Sequence, residues 1–227
     1  MTQQRIKLIR TYLERLHGGV TEEMETSISG RAFTVCPGVF SPENTFASEF
    51  LSNHLLVRPG DSVLDIGTGI GVQAVFAGLK QAGRVIATDI NPQAAACTDI
   101  NIKKFGLDAI VSTRQGDLFE TVPNDRFDLI IWNAPYLPDE SRSVAEMSWN
   151  SGRRHSVVSR FLAEVRDYLT ERGRVQILFS SIGDLNWFIE KAEDCGFNVD
   201  ILASLTAGWE HLVIFILVPS TLEVSDS

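Results

Sequence analysis

Short apolar runs rich in β-branched residues recur along this chain, and most are followed by a stretch in which apolar residues return every three or four positions. The runs near 62–66, 84–89, 109–114, 127–132, 173–179, 197–203 and 211–218 have the length and bounding turn residues of strands. Between them the helical period is met near 71–81, 92–105, 156–170 and 185–194. Strand followed by helix, repeated, is the pattern of a parallel sheet covered on both faces, whereas the last two runs have no helix between them and must return antiparallel. The predicted fold is therefore α/β: seven strands, mostly parallel, helices on both faces, and a C-terminal antiparallel hairpin.

Upstream of the first run, Ile6, Ile9, Leu13 and Leu16 recur at spacings that place them on one side of a helix, and Gly18-Gly19 breaks it. A second helix is predicted from about Asn44 to Leu56, with Phe46, Phe50 and Leu51 facing inward. The chain then divides into a helical cap segment over 1–40, a main domain over 41–219 and a loose polar tail over 220–227. With 227 residues, 44% of them hydrophobic, the chain can bury one sizeable core but not a second large domain.

The chemistry concentrates where strands end. The run Val63-Leu64-Asp65-Ile66-Gly67-Thr68-Gly69-Ile70-Gly71 reads as a buried strand and a sharp glycine turn, with a helix opening through Val72, Val75, Phe76 and Leu79. A dinucleotide fingerprint needs its third glycine at position 72, which is Val72, so a nicotinamide cofactor is disfavoured. Asp65 would repel a pyrophosphate but could orient a cationic aminoacyl group, directly or through water. Asp89 closes the next strand, where a carboxylate can accept hydrogen bonds from both hydroxyls of a ribose; Asn91-Pro92 takes the capping of the following helix. In Gly116-Asp117-Leu118-Phe119, Asp117 reads equally as a turn residue or as the holder of an adenine amino group, with Leu118 or Phe119 flanking the ring.

Farther on, Asn133-Ala134-Pro135-Tyr136 follows the buried run Phe127–Trp132, so Asn133 falls at a strand tip, where open α/β sheets place ligands. An amide nitrogen is a poor nucleophile because its lone pair is delocalised. A site acting on it should accept hydrogen bonds from its N–H groups with fixed carbonyls, aligning the nitrogen and stabilising developing positive charge. Asn133 offers a side-chain carbonyl and Ala134 a backbone carbonyl; Pro135 stiffens the turn and Tyr136 can stack on a planar group.

Taken together, Asp65 to Gly71, Asp89, Asp117 and the Asn133 tetrapeptide resemble the ordered motifs of class I methyltransferases, more narrowly the HemK/PrmC-like branch that methylates glutamine side-chain amides in proteins, notably the Gly-Gly-Gln loop of translation release factors. The resemblance runs from Val39-Phe40-Ser41-Pro42-Glu43-Asn44-Thr45-Phe46 to Gly208-Trp209-Glu210-His211-Leu212-Val213, roughly residues 35 to 218. It implies a Rossmann-like methyltransferase fold and S-adenosyl-L-methionine as cofactor, leaving as S-adenosyl-L-homocysteine. It also implies cofactor contacts at Thr45, Asp65, Gly67, Thr68, Gly69, Asp89, Ile90, Asp117, Leu118 and Asn133, and an acceptor site at Asn133, Ala134, Pro135 and Tyr136. The chain departs from the family where Ala134 replaces a proline, and where Ser151 and His155 stand at glycine positions in Trp149-Asn150-Ser151-Gly152-Arg153-Arg154-His155. The loop over 137–154 is long enough to be a lid, and Arg153 or Arg154 could pair with a substrate carboxylate.

The implied acceptor is a protein glutamine. A small-molecule amine or amide stands beside it, because bacterial members of the branch carry a helical front domain that about 35 residues cannot supply. Short relatives, some of which work with a partner protein, leave a partner subunit or a homodimer open, and a catalytically silent subunit is the reading from another class. A net charge of −9 gives no attraction to phosphate, so a nucleic-acid acceptor is disfavoured. No apolar run reaches the ~20 residues of a membrane span and no signal-peptide core opens the chain, so a cytoplasmic location is expected. Cys36, Cys97 and Cys195 read as reduced thiols, and His17, His54, His155 and His211 lack metal-ligand spacing, so no metal is expected.

Overall fold

A computed structural model describes residues 3–17, 20–43 and 46–220. Seven strands form the main sheet: β3 (Ser62–Ile66), β4 (Arg84–Asp89), β5 (Val111–Gln115), β6 (Phe127–Asn133), β7 (Leu169–Ser180), β8 (Phe197–Ala207) and β9 (Glu210–Pro219). Their order across the sheet is β5-β4-β3-β6-β7-β9-β8, with β9 antiparallel to both β7 and β8 and the remaining neighbours parallel. The predicted architecture is the observed one.

Period-two alternation sorts the core into two layers. Val63, Ala87, Leu129, Ile131 and Ile214 turn toward α2 (Ala47–Asn53), α3 (Val72–Leu79) and α4 (Pro92–Lys104). Their neighbours Leu64, Ile66, Ile86, Ile130 and Phe215 turn to the opposite face, against α5 (Ser156–Glu164) and α6 (Leu185–Asp194). The helix predicted over 156–170 ends earlier: after a tight turn through Tyr168, Leu169 already pairs with Phe127, so β7 begins before the predicted 173.

Ahead of the sheet, α1 (Gln3–His17) presents Ile6, Ile9 and Leu13 to Leu137, Trp149 and Ile182, forming a small third core. The side chain of Leu16, and Gly18 and Gly19, lie outside the described residues. The segment expected to be a helical cap also contains a hairpin, β1 (Met24–Ile28) and β2 (Arg31–Val35), which brings Ile28, Phe33 and Val35 into the main core. Asn101 of α4 locks it there. Its side chain accepts from Thr34 N at 2.8 Å and donates to Thr34 O at 2.8 Å and Ile70 O at 2.9 Å, which satisfies a fully buried amide.

Two further expectations are corrected. Cys36 and Cys97 are paired as a disulfide with Cα atoms 5.7 Å apart, and only Cys195 is free. Sixty-one positions of sequence hid a contact that the packing of β2 on α4 creates. Phe46, expected to face inward with Phe50 and Leu51, is 60% exposed, whereas Leu51 is fully buried. Of the tail predicted over 220–227, Ser220 is held by hydrogen bonds to Gly196, and 221–227 lie outside the described residues.

Candidate functional site

The C-terminal ends of β3 to β7 and the start of β9 share one edge of the sheet, and a cavity of about 630 Å³ opens there. On its floor, the turn after β3 passes Gly67, Gly69 and Gly71 at φ of 63°, 60° and 86°. Gly71 caps α3 in the left-handed conformation, and a Cβ there would lie 2.9 Å from Thr98 Cγ2, so both backbone angle and space demand glycine.

Asp65 holds this turn. Its Oδ2 accepts from Thr68 Oγ1 at 2.6 Å and from Ala74 N at 3.1 Å, while Oδ1 has no hydrogen bond among the described residues, and the residue lines the cavity. Burial pushes its carboxyl up to about 7; those two hydrogen bonds oppose the rise and the nearby charge of Asp89 adds to it. Asp89 accepts from Gly69 N and Asn91 N, one on each oxygen and both at 2.9 Å, which leaves a lone pair on each oxygen. Burial raises its carboxyl too, against those backbone donors. Asn91 caps α4 by accepting from Gln93 N, as expected. Thr68 and the half-exposed Ile90 also line the cavity, whereas Thr45 lies outside the described residues.

Asp117 lines the cavity but is not left to a ligand alone, because Arg160 of α5 donates to its Oδ2 at 2.5 Å. Leu118 faces the cavity, and Phe119 does not: its ring stacks on Tyr168 with centroids 4.2 Å apart. Of the two side chains expected to flank a ring, Leu118 is the one that lines the cavity.

Asn133 ends β6 with its carboxamide on the cavity and no side-chain hydrogen bond among the described residues. Behind it, Ala134 N donates to Leu178 O at 3.2 Å, so β6 continues to pair with β7 through the turn and Ala134 keeps the strand geometry without proline. Tyr136 N and Leu137 N both donate to Trp149 O, at 3.1 and 2.8 Å. Burial, with the charges of Glu210 and Tyr12 adding, holds the Tyr136 phenol above its usual range. The tetrapeptide is thus clamped by β7 on one side and Trp149 on the other.

The segment expected as a lid is folded onto α1. Arg10 pairs with Asp139, Arg142 bridges Glu14 and Glu146, and Trp149 is buried. The two departures from the family's glycine pattern meet each other: Ser151 Oγ donates to Leu137 O at 2.9 Å and lies 2.8 Å from His155 Nδ1. Since the hydroxyl proton is spent on Leu137, the ring must donate Nδ1–H, and burial keeps it neutral by lowering its pKa to about 4. Of the arginines suggested for a substrate carboxylate, Arg153 pairs with Glu140 at 3.3 Å and Arg154 is absent from the cavity lining.

The sequence reading missed several lining groups: Tyr12 on α1, Met147 in the long loop, and Trp209 and Glu210 at the β8–β9 turn. For Glu210 a signal existed, an acid between Gly208-Trp209 and the strand predicted over 211–218. Among the described residues no group of three or more His, Cys, Asp or Glu gathers as a metal site, and no helix is long and apolar enough to cross a membrane.

Residues 30–192 match the model of the methyltransferase small domain. The chain belongs to that family. Members are S-adenosylmethionine-dependent methyltransferases, and this chain is one. It is 32% identical to a Methanocaldococcus jannaschii chain whose name assigns it to the protein N5-glutamine methyltransferases, over 84% of this chain and 97% of that one. It is 29% identical to the ribosomal protein uL3 glutamine methyltransferase of Bradyrhizobium diazoefficiens, over 72% of this chain and 60% of that enzyme. Among solved structures, the E. cuniculi Mtq2–Trm112 complex, described as responsible for methylation of the eRF1 translation termination factor, shares the fold: TM-score 0.60 at 21% identity, over 81% of this chain and 99% of that one.

Proposed function

We propose that this methyltransferase transfers a methyl group to the side-chain amide nitrogen of a protein glutamine. The observation that carries the reading is Asn133: a carboxamide at a strand tip, with no partner of its own among the described residues, on the same cavity as the glycine turn. In this reading Asn133 Oδ1 and the Ala134 carbonyl accept the two N–H bonds of the acceptor amide, fixing its plane so that the nitrogen points along the line of attack. Pro135 holds the turn and Tyr136 backs the amide. Across the cavity, Asp89 meets the ribose hydroxyls, Asp65 Oδ1 faces the cationic aminoacyl end, Gly67, Thr68 and Gly69 shape the floor, and Ile90, Asp117 and Leu118 border the adenine. S-adenosylmethionine, when bound, supplies an electrophilic methyl carbon on a sulfonium. The unspent acceptors on Asp65 and Asp89 and the uncrowded glycine backbone fit such a group. The unit that does this is the main domain expected over 41–219 together with the β1–β2 hairpin packed into its core, and α1 closes its acceptor side.

A protein acceptor is favoured over a small molecule by the rim, where Tyr12, Phe46, Val144, Met147 and Trp209 are all exposed apolar side chains around one opening. The relatives named above point the same way. The test is radiolabelled methyl transfer into ribosomal protein uL3 and into a translation release factor, by wild type and Asn133→Ala, with cofactor affinity followed by calorimetry. Wild type is expected to label one of the two proteins. Asn133→Ala should keep its cofactor affinity and lose turnover by roughly 100- to 1000-fold, the scale of a removed transition-state hydrogen bond. Unaltered turnover in the variant, or label confined to small molecules, refutes the reading.

A further inference from the structure

Glu210 opens β9 immediately after the two-residue turn Gly208-Trp209, which is set by Gly208 at φ 62°. Its place relative to the tetrapeptide follows from register. Asn133 lies opposite Leu178 of β7; Ser180, two residues farther along β7, lies opposite Leu212 of β9 and donates Oγ–H to Glu210 Oε1 at 2.5 Å. Strand order then divides the cavity rim. The C-terminal ends of β3 and β4 carry Asp65 and Asp89, and the turn after β5 carries Asp117; β6 with Asn133 stands in the middle; β7 and β9 carry Ser180 and Glu210 on the far side. Glu210 is therefore placed away from the three acids assigned to the cofactor and close enough to Tyr136 for its charge to act there.

Its Oε2 has no hydrogen bond among the described residues. Among the described residues no cation is paired with it either: the arginines that line the cavity, Arg153 and Arg160, are paired with Glu140 and Asp117. Burial holds its carboxyl above the usual carboxylate range, and the Ser180 hydroxyl only opposes that. A half-buried carboxylate with one oxygen unspent is costly in the empty site, and a donor arriving with the acceptor relieves that cost.

We propose that Glu210 is a substrate-positioning residue: Oε2 accepts a hydrogen bond from a backbone N–H of the acceptor polypeptide beside its glutamine, and the carboxylate repels an anionic side chain presented at the same place. This rests on the protein-amide reading above. It supplies a reason for choosing glutamine over glutamate that Asn133 alone cannot, because a neutral carboxamide can turn its own N–H₂ toward a carboxylate whereas Glu210 repels it outright.

The test uses the full chain with Glu210→Gln and Glu210→Ala, saturating S-adenosylmethionine, and uL3 and the release factor as acceptors. The labelled glutamine is located by mass spectrometry and replaced by glutamate to make an inhibitor. Both variants should bind cofactor as wild type does. KM for the acceptor should rise, by about tenfold or more in Glu210→Ala and less in Glu210→Gln, with kcat changed far less. The glutamate-bearing protein should inhibit Glu210→Gln about tenfold more strongly than wild type, since the repulsive charge is gone. An active wild type whose Glu210→Gln form shows unchanged acceptor KM and unchanged inhibition overturns this proposal and leaves the reading beneath it standing. A wild type that labels neither protein overturns both.

Discussion

Asp65→Asn separates what the glycine turn costs from what it provides. An asparagine Oδ1 can accept from Thr68 Oγ1 and Ala74 N as Asp65 Oδ2 does, so the turn keeps both bonds while the buried charge disappears. In wild type the carboxyl rises from 3.8 to about 7 on folding. The folded chain therefore holds this proton more tightly than the unfolded one. The stabilisation that follows is complete below 3.8, drains away as pH climbs, and is gone above about 7. A rise of about 3 units at 1.36 kcal/mol each sets an upper bound of about 4 kcal/mol on that loss. Asp65→Asn has no such loss. Urea unfolding without cofactor should show the variant gaining on wild type from about pH 4 to about pH 7 and the difference levelling off above that, at about 4 kcal/mol or less. The other shifted carboxylates are common to both proteins and drop out of the difference, whereas the repulsion between Asp65 and Asp89 exists in wild type alone and adds to it. Cofactor should reverse the ranking: a cationic aminoacyl group near Oδ1 favours the ionised acid, so calorimetry near pH 6 in buffers of different ionisation enthalpy should show wild type releasing a proton on binding and the variant releasing less. A stability difference that stays flat across the range, or proton release identical in the two proteins, refutes the reasoning.

Gly71→Ala should destabilise the fold by roughly 1–3 kcal/mol, from a left-handed backbone and a Cβ crowding Thr98; adding Thr98→Ala should recover only the crowding share in thermal melts, and full recovery would show that backbone strain contributes nothing. Arg174→Ala should cost about 3–5 kcal/mol in urea unfolding, because it strands the buried Asp61 carboxylate, 2.8 Å away in wild type, and leaves Leu56 O and Asp128 O without their donor; a loss below about 1 kcal/mol would mean that Asp61 is resolvated.

Periodicity was enough for the sheet, because strands buried on both faces and helices buried on one differ in period and length. Wherever backbone conformation alone placed a residue, as at Gly67, Gly69, Asp89 and Asn133, its position at a strand tip was legible. What escaped was decided by packing between distant segments. The β1–β2 hairpin is short, and its burial depends on Asn101 rather than on its own pattern. The Cys36–Cys97 pair depends on the same docking of β2 on α4. Phe46 and Trp209 look like core residues by composition, yet the turns that carry them point outward. Asp117 was read as turn or ligand group, and its partner Arg160 lies 43 positions away on another helix. The substitutions Ser151 and His155 read singly as erosion of a motif, and only their contact reveals a replacement brace.

The opposite edge of the sheet has been knitted shut. Arg174, Asp61, His54 O and Gln176 tie β7 and the start of β3 to the end of α2 with an ion pair and side-chain hydrogen bonds, and none of them lines the cavity. Such polarity gives an engineer two independent handles: reinforcement belongs on the sealed rim, where rigidity interferes with nothing, while retargeting belongs on the β8–β9 tip, which can be exchanged without disturbing the nucleoside floor.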